Sequence, residues 1–579
     1  MIIPNRISRK YIVLALFSGT AFAAPNAVWA QQIASEWTPL DDSATAADGE
    51  DSTAPVAEKS NRNRRGGGNR PRVEITPFIE VQQVAFTSFN DNSGDILTYS
   101  TVAAGVDASI ATRRAEGQVN VRYERLIAYD GGLEDSDIVS GLARGSVKVA
   151  PGLSFEAGAI ATRSRLDGRG QAPTNLVGNP DNITQVYSVY AGPTFSSNIG
   201  GVSVNAAYRA GYTKVESDNV GPIPAGQPAL DIFDDSVSHS AVASVGAQPG
   251  ALPVGWSVGG GYDREDSGQL DGRFESAYVR GDVTVPVATG LAVVGGVGYE
   301  DIEISERDAL RDATGNPVVG TDGRLVTDPA APRLIAFQED GLIWDVGVAW
   351  RPSRRTSVSA YYGQRYGSDT FGGNITYQPN NNFAVNVSVF DQVSGFGNLL
   401  NDNLAALPTS FRIARNPFSG DIASCAFGQS GGNCFNDALQ TASSASFRSR
   451  GVTASLSSTL GGWNAGLAAG YSNRRFLASA LGARAELAGL VDENYFALAT
   501  LGKVIDEKSG FDTSFYATYF DPGFVGASDV IGLGANAAYY RQIIRGLSAT
   551  AAVGIDSFRQ EDFDSDVTAS ALIGLRYSF

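Results

Sequence analysis

The chain is 579 residues long and carries a formal net charge of −17, with 67 glycines, two cysteines and a single histidine. This acidic balance argues against nucleic acid as a partner, because contacts to phosphate require a basic surface. One histidine and two cysteines provide no cluster with the spacing of a metal site, and we expect no cofactor. Past the N-terminus, no run approaches the roughly 20 consecutive apolar residues of a membrane helix.

The first 30 residues have the pattern of a secretory signal peptide. Three basic residues precede a short apolar run at 11–23, and two small-residue cleavage patterns follow, ending at Ala23 and Ala30. This order predicts a cleaved signal peptide at 1–30, and an N-terminal anchor is the alternative. Export agrees with the two cysteines, which suit an oxidising compartment.

Residues 31–72 differ in composition from the rest of the chain. An acidic first half is followed by an arginine- and glycine-rich run, and apolar residues are few. Such a segment cannot bury enough apolar area to fold alone, so we predict a disordered periplasmic tail. Binding of nucleic acid or an anionic polymer by the arginines is the alternative. The segment is too short to be the plug domain of a nutrient-import barrel.

From residue 73 to the C-terminus, the dominant pattern is an alternation of apolar and polar residues. The segments 115–125, 202–213, 342–350 and 452–460 each place apolar side chains on one face and polar side chains on the other. This two-residue period is that of a strand between two different environments. The pattern predicts that 73–579 is all-β and forms a single transmembrane antiparallel β-barrel of about 22 strands, within a range of roughly 18 to 24.

The connections between these segments fall into two alternating classes. Short turns, such as those near 151, 289 and 461, alternate with long loops, which include 305–341 and 397–445. Outer-membrane barrels have short periplasmic turns and long outer loops, and an even strand number puts both chain ends on the periplasmic side. A soluble sandwich array or propeller is the alternative. It would show an internal repeat of roughly 40 to 50 residues, and none is seen.

Charged residues on the polar strand faces are expected to line the lumen. Such side chains line and tune pores, whereas mutual pairing that only stiffens the wall is the alternative. The predicted pore-lining residues are Glu116, Arg122, Glu124, Arg209, Arg280, Asp282, Arg365, Asp512 and Arg576.

Two loops, 305–341 and 397–445, are candidates for folding into the lumen. A barrel of this size is roughly 40 Å wide, which wall side chains alone cannot fill. Cys425 and Cys434 lie in the second loop and predict a disulfide that staples it, with a redox or metal role as the alternative. Closing so small a ring restricts the unfolded loop by roughly 2 to 3 kcal/mol in the chain-entropy model.

Two further outer loops are strongly acidic. Neither has the spacing of an EF-hand, so we expect solvated loops, bridged to lipopolysaccharide by divalent cations, rather than specific Ca²⁺ sites. The acidic residues are Asp130, Glu134, Asp135 and Asp137 in one loop, and Glu561, Asp562, Asp564 and Asp566 in the other.

His239 is the one histidine that could act as a general base. Asp235 and several serines lie near it, which would suit an enzyme. Val237 and Ala241 share its alternating face, however, which predicts a position at the lipid or the interface. We therefore expect no catalytic site and no enzymatic activity.

The chain ends in a strand pattern with a terminal aromatic residue. Between 567 and 579, mostly apolar residues alternate with polar or small ones as far as Tyr577 and Phe579. This ending resembles the C-terminal signature of Gram-negative outer-membrane β-barrels. The resemblance implies that Tyr577 and Phe579 belong to the signal read by the barrel-assembly machinery, with outer-membrane lipid and lipopolysaccharide around the folded chain.

A second resemblance covers Ala349–Val393 and the turn at Phe447–Gly451. These residues resemble uncharacterised outer-membrane barrels associated with exopolysaccharide and PEP-CTERM sorting systems, and they bring over no functional residues. We expect a passive or loop-gated channel in the cell outer membrane for hydrophilic solutes or polysaccharide. The alternative is a non-conducting scaffold that docks an export or envelope partner through 31–72.

Overall fold

The computed structural model describes residues 72–89, 96–129, 135–166, 183–216, 231–250, 252–428, 431–524, 527–560 and 566–579. The predicted signal peptide and nearly all of the predicted tail lie outside these residues. Arg72, the last residue of the predicted tail, already begins the first strand. No helix in the described part of the chain is long and apolar enough to cross a membrane.

The described residues are almost entirely β-strands. In chain order the elements are β1 (Arg72–Ser88), β2 (Ile96–Ala111), β3 (Ala115–Ala128), β4 (Ser136–Ala150), β5 (Leu153–Arg165), β6 (Ile183–Ile199), β7 (Val202–Glu216), β8 (Asp235–Ala247), β9 (Gly255–Ser267), β10 (Gly272–Ala288), β11 (Leu291–Glu306), β12 (Leu334–Ser353), β13 (Thr356–Arg365), β14 (Ser368–Asn380), β15 (Phe383–Ser394), α1 (Phe396–Ala405), β16 (Arg412–Arg415), β17 (Ile422–Gly428), β18 (Gly431–Cys434), β19 (Ser446–Leu460), β20 (Trp463–Leu477), β21 (Val491–Asp506), β22 (Ser509–Asp521), β23 (Val530–Ile544), β24 (Leu547–Gln560) and β25 (Asp566–Ser578). Short 3-10 turns occupy Gln269–Asp271 and Ala485–Leu487.

All strands except β16–β18 belong to one 22-stranded antiparallel sheet. Each strand pairs with the next sheet strand along the chain, and the ring closes where β1 pairs with β25, from Phe78 opposite Ser578 to Ser88 opposite Thr568. Closure leaves no strand edge with unpaired backbone groups, which hydrocarbon would not tolerate. The predicted single antiparallel barrel of 22 strands is confirmed.

The two faces of the wall differ in chemistry. On β10, Val279, Val283 and Val285 point outward and are 41–56% exposed. The residues between them include Arg280 and Asp282, whose side chains form an ion pair on the inner face. The outer face is therefore apolar and the inner face polar, which is the pattern of a barrel with lipid outside and water inside.

Tight turns close one end of the barrel. The turns after β10 and β23 each contain a glycine with positive φ, Gly290 at 74° and Gly546 at 79°. An L side chain rarely adopts this conformation, so glycine permits the two strands to reverse direction within very few residues. The sequence pattern of short turns on one side is thus built from local backbone geometry.

The connection between β15 and β19 folds into the barrel, and we call residues 395–445 the inner segment. It contains α1 and the three-stranded sheet of β16–β18. Its contacts run from Asp231, before β8 begins, down to Gln118 and Thr459, near the turns that follow β19 and precede β3. The inner segment therefore occupies most of the height of the lumen. This agrees with the prediction that the loop 397–445 folds inward.

The other loop that was a candidate for folding into the lumen, 305–341, lies elsewhere. Residues 307–333 form isolated β-bridges with one another, and Ala309 and Leu325 pack against Leu270. Arg324 donates hydrogen bonds to the carbonyl oxygens of Val215 and Phe233, at 3.1 and 3.3 Å. This loop thus packs on the outer ends of neighbouring strands, while the inner segment occupies the lumen.

A charge on the outer face should destabilise the barrel. Val553 lies in the middle of β24, is 62% exposed and has Ala537 and Ala571 beside it. We expect Val553→Arg to lower the free energy of unfolding in lipid vesicles by about 2 to 4 kcal/mol, because a cation at the bilayer midplane loses hydration. Val553→Leu is the matched control and should stay within about 1 kcal/mol of wild type. Equal stability of both variants in denaturant titrations would contradict a lipid-facing position.

Candidate functional site

The lumen is the candidate functional site, and its wall carries paired charges. Arg122 on β3 is buried and donates hydrogen bonds to Glu80 on β1 and to Glu124, the latter at 2.7 Å. A buried cation is tolerated when charge-assisted hydrogen bonds replace its hydration. Arg122 and Glu124 were singled out from the sequence. Glu80 was missed, although it lies on the polar face of an alternating strand.

A second charged network lies on the section of wall formed by β10–β13. Arg280 contacts Asp282 at 2.5 Å and Asp345 of β12 at 2.8 Å. Arg365 of β13 forms a two-pronged contact with Glu300 of β11, with both carboxylate oxygens 2.9 Å from its Nε. Asp345 and Glu300, the partners of Arg280 and Arg365, are not among the predicted pore-lining residues.

The remaining predicted pore-lining residues are spread around the wall. Arg576 contacts Asp107 of β2, and Asp512 interacts electrostatically with Arg412 of the inner segment. Glu116 is exposed near the end of β3 that follows a tight turn. The arginines among the predicted pore-lining residues therefore form ion pairs, which is the alternative stated above. Their role in conduction stays a prediction.

Helix α1 is held against β5–β9 by side-chain hydrogen bonds. Glu265 of β9 is buried and accepts hydrogen bonds from the backbone N–H groups of Gly397 and Asn398, both at 2.9 Å. A carboxylate at this end satisfies N–H groups that have no partner within the helix. Asn401 accepts a hydrogen bond from the Ser188 hydroxyl (2.9 Å) and donates one to Ser238 (3.0 Å).

Arg209, a predicted pore-lining residue, reaches the same helix. Its Nη1 donates to Asp402 Oδ1 at 3.0 Å. The Asp402 side chain is 53% exposed, so this ion pair stays accessible to water. This predicted pore-lining side chain therefore holds the inner segment in place.

The inner sheet is attached to β3–β5 by arginines. Arg163 of β5 donates to both carboxylate oxygens of Asp421, at 2.9 and 2.5 Å. In the opposite direction, Arg415 of β16 donates to Asn120 Oδ1 at 2.6 Å and to Ser140. Burial lowers the pKa of Arg415 to about 10. These contacts join residues more than 250 positions apart, which no local pattern can reveal.

Phe418 anchors the inner sheet in an apolar pocket of the wall. It is fully buried among Val84, Tyr99, Leu126 and other residues of β1–β3, β24 and β25. The Tyr99 hydroxyl donates to the Phe418 carbonyl oxygen at 3.0 Å. Apolar residues on the inner face of the strands thus mark where the inner segment packs.

A third attachment lies where the inner segment returns to the wall. Asp231 accepts hydrogen bonds from the Ser443 hydroxyl (2.6 Å) and the Ser444 backbone N–H (3.0 Å), and it pairs with Arg484. Arg484 also pairs with Glu306. Burial raises the pKa of Asp231, but the Arg484 charge and the serine hydrogen bonds outweigh it, so that pKa lies below its ordinary value.

Cys425 and Cys434 form a disulfide, as predicted, with an S–S distance of 2.11 Å. They lie opposite each other on β17 and β18, and both are buried. Phe427 of the inner sheet and the wall residues Ala468, Phe496 and Leu498 pack around them. The disulfide therefore staples the inner sheet inside the lumen and not a loop outside the barrel.

His239 lies on the outer face of β8. Its Nδ1 is 2.8 Å from the hydroxyl of Tyr208, which is 41% exposed, and the two rings stack with centroids 6.2 Å apart. Because it points away from the lumen, it does not join the charged groups of the candidate site.

Parts of the acidic loops can be placed. Asp135 and Asp137 pair with Arg125 at 3.0 and 2.7 Å. Asp130, Glu134, Glu561, Asp562 and Asp564 and the side chain of Asp566 lie outside the described residues. Within the described ranges, no group of three or more histidine, cysteine, aspartate or glutamate side chains is arranged to hold a metal ion.

Among known proteins, this chain is similar to solved structures only. No protein-family model matches the chain, and no curated protein matches it. The ferric-catecholate import receptor Fiu from E. coli K12 shares 10% identity, with a TM-score of 0.41 over 86% of this chain and 81% of that chain. The FrpB iron transporter from Neisseria meningitidis has 12% identity and a TM-score of 0.39 over 86% and 81%. The siderophore receptor PiuA from Acinetobacter baumannii has 8% identity and a TM-score of 0.38 over 86% and 82%.

The class of the protein follows from its own sheet. A closed antiparallel ring of 22 strands, apolar outside and polar inside, is the architecture of outer-membrane β-barrel proteins. Tyr577 and Phe579 lie on its outer face, 42% and 72% exposed, with ring centroids 5.1 Å apart. Their role as an assembly signal stays a prediction.

Removing the disulfide should loosen the inner segment without opening the barrel. We expect Cys425→Ala with Cys434→Ala to lower the local stability of β17 and β18 by roughly 2 to 3 kcal/mol, since the unfolded loop gains freedom. Hydrogen exchange should speed up within 422–434 and stay unchanged in β24 and β25, which serve as the internal reference. Unchanged exchange within 422–434 would show that wall packing alone holds this sheet.

The stability of the inner segment should depend on pH through Asp437. This carboxyl is buried and accepts a hydrogen bond from Asn403 Nδ2 at 2.9 Å, and burial raises its pKa to about 6. Between about pH 4 and 6 the folded state holds the proton more tightly than the unfolded state, so stability falls as pH rises through that window. Asp437→Asn should remove this contribution. The check is hydrogen-exchange protection at pH 5 and 7.5, corrected for intrinsic rates, and an identical pH response in both proteins would contradict it.

Proposed function

We propose that the protein is an outer-membrane transport channel for a hydrophilic solute, closed in this state by the inner segment. The observation that carries the proposal is how that segment is held. Helix α1 and the inner sheet are attached to the wall by hydrogen bonds and ion pairs, such as Asn401 with Ser238 and Arg163 with Asp421. The described contacts between inner segment and wall can break and reform without covalent change, as a gate requires.

The chemistry of the wall supports a polar solute. The β10–β13 section presents Arg280, Arg365, Glu300 and Asp345 on its inner face. Mixed charges in a lumen favour hydrated solutes that exchange hydrogen bonds along the path. The resemblance of Ala349–Val393 to exopolysaccharide-associated barrels favours a polysaccharide among such solutes.

A non-conducting scaffold is the second candidate, and one observation favours it. The inner segment shares an apolar core with the wall, which includes Phe396, Leu400, Phe411 and Phe435 packed with Phe447. Such a core resists opening, because separating it exposes apolar area at roughly 25 cal/mol per Å². In that case the predicted tail at 31–72 would dock a periplasmic partner, and deleting the tail would abolish co-purification of that partner.

Locking the inner segment to the wall tests the channel proposal. Asn401→Cys with Ser238→Cys places one thiol on α1 and one on β8, at two side chains that are hydrogen-bonded in wild type, so that a short bis-thiol-reactive reagent can link them. We expect the cross-linked variant to lose the single-channel openings of wild type in planar bilayers, because α1 can no longer leave β8. Asn401→Ala with Ser238→Ala is the control and should open at least as often as wild type.

A second variant tests whether the inner segment is what closes the lumen. Replacing residues 396–444 with a short glycine-serine linker should raise the conductance several-fold, since a lumen roughly 40 Å across the backbone is then left unfilled. If the folded linker variant conducts no better than wild type, the channel proposal is wrong and the scaffold remains. Folding of each variant is checked by its heat-dependent mobility in detergent gels.

A further inference from the structure

Three arginines lie side by side on the outer surface of the barrel. Arg448 and Arg450 flank Ser449, which is fully buried, and Arg475 lies directly opposite Arg448 in the register of β19 and β20. Arg474, the neighbour of Arg475, donates to Thr441 of the inner segment and therefore points inward. Arg448, Arg450 and Arg475 consequently face out, and we call them the outer arginine patch.

The height of the patch follows from aromatic residues on the same face. Trp463 lies near the tight turn before β20, and Tyr471 contacts Tyr495 in a row of outward tyrosines, with ring centroids 4.6 Å apart. Outer-membrane barrels carry aromatic girdles at both interfaces. From Trp463 to Tyr471 the strand rises about 26 Å, or roughly 20 Å along the membrane normal. Arg475 lies about 10 Å beyond Tyr471 on the same scale, which is the level of the lipid head groups.

The arginines are positioned by one buried carboxylate. Asp391, with a fully buried side chain, accepts two hydrogen bonds from Arg448, both at 2.7 Å, and lies 3.1 Å from Arg450. The Asp369 carbonyl oxygen accepts further hydrogen bonds from Arg450 (2.9 Å) and Arg448 (3.2 Å). These contacts, with a hydrogen bond from Arg448 to the Ser368 hydroxyl, occupy every side-chain nitrogen of Arg448. The Arg450 side chain is 36% exposed and keeps an edge toward the surface.

The arginines outnumber the carboxylates at the groove. Asp391 is shared by Arg448 and Arg450, and the Asp369 carboxylate, which interacts with the Tyr362 hydroxyl, is the acidic group of the groove lining. Arg475 has no ion-pair partner among the described residues. Because Arg448 takes both carboxylate oxygens of Asp391, the charges of Arg450 and Arg475 are not fully balanced. An anion beside these two arginines would complete the pairing.

A groove of about 680 Å³ adjoins the arginines. Its lining combines the three arginines and the polar side chains of Ser368, Asp369 and Asn473 with Tyr362, Phe371 and Val491. Arg450 lies over the Phe371 ring, 5.8 Å from its centroid. A surface that is both cationic and apolar fits an amphiphile with an anionic head and a hydrocarbon tail. A small soluble anion would contact only the cationic part of the groove.

We propose that the outer arginine patch binds the phosphate group of a phosphorylated lipid of the outer leaflet, with the groove holding its apolar part. Guanidinium groups recognise phosphate oxygens by paired hydrogen bonds, and Arg450 and Arg475 present theirs at the surface. The proposal rests on the outer-membrane location of the barrel and is independent of whether the lumen conducts.

Native mass spectrometry of the full-length, detergent-purified protein tests the assignment, with diphosphoryl lipid A as the probe. We expect Arg475→Gln with Arg450→Gln to bind the lipid about tenfold more weakly than wild type, since two phosphate-facing cations are lost. Arg448 is kept because it makes both hydrogen bonds to Asp391, which Arg450 contacts without a hydrogen bond. Arg541→Gln is the matched control, because Arg541 is an exposed arginine near the opposite end of the wall, on β23. The single variant Arg475→Gln serves if the double variant fails to fold.

Three outcomes would overturn the proposal. Equal lipid binding by the folded variant and wild type would show that the arginines are not the site. Equal binding of dephosphorylated lipid A would remove the phosphate from the recognition. Competition by inorganic phosphate at the concentration of the lipid would indicate a site for a soluble anion instead. Bilayer conductance of the same variants should equal that of wild type, so a failure here is distinct from a failure of the channel proposal.

Discussion

Satisfaction of backbone hydrogen bonds within the membrane is the constraint on which the structure depends. Lipid offers no partner for a free N–H or C=O group, so a sheet can cross it only as a closed ring. The pairing of β1 with β25 provides that closure, and it joins the two ends of the described chain. Once the ring is closed, each side chain has one of two environments, and the alternation of the strands assigns apolar residues to lipid and polar ones to the lumen.

A ring of this size creates a second problem, which is the space inside it. The inner segment fills that space by combining apolar anchors with buried charge pairs. Arg474 shows how a cation is held there: it is fully buried, pairs with Asp492 and lies over the rings of Phe447 and Phe476. Removing one member of such a pair leaves an uncompensated charge in a low-dielectric site, so the set of partners is strongly specified.

The barrel could be predicted from the sequence because its strands are regular. The two-residue period within β3, β7 and β12 is local, and tight turns with glycine mark where neighbouring strands reverse. Strand ends were underestimated: β12 begins at Leu334, eight positions before the clean alternation predicted at 342–350. Beyond the alternating part the strand is continued by backbone pairing with β11, which the side-chain pattern does not record.

The candidate site could be predicted only in part, for a physical reason. Lumen-facing arginines could be read from strand faces, and the disulfide from two cysteines nine residues apart. The partners of the inner segment could not, because they are set by tertiary packing. Asp231 meets Ser444 across 213 positions, and Asp402 of α1 meets Arg209 across 193. The residue pattern around each of these residues contains no information about its distant partner.

The inner segment is attached to the wall at both of its ends. It begins after β15 and ends at β19, two strands that are neighbours in the sheet, with Ser394 opposite Phe447. Both ends of the inner segment are therefore joined to the wall at the same place, at adjacent strand ends on the rim of the barrel. The segment can change its position or unfold, but it stays connected to the barrel at both ends. Any movement of the inner segment is therefore a rearrangement between two fixed ends, and the segment cannot dissociate from the barrel as a separate domain could.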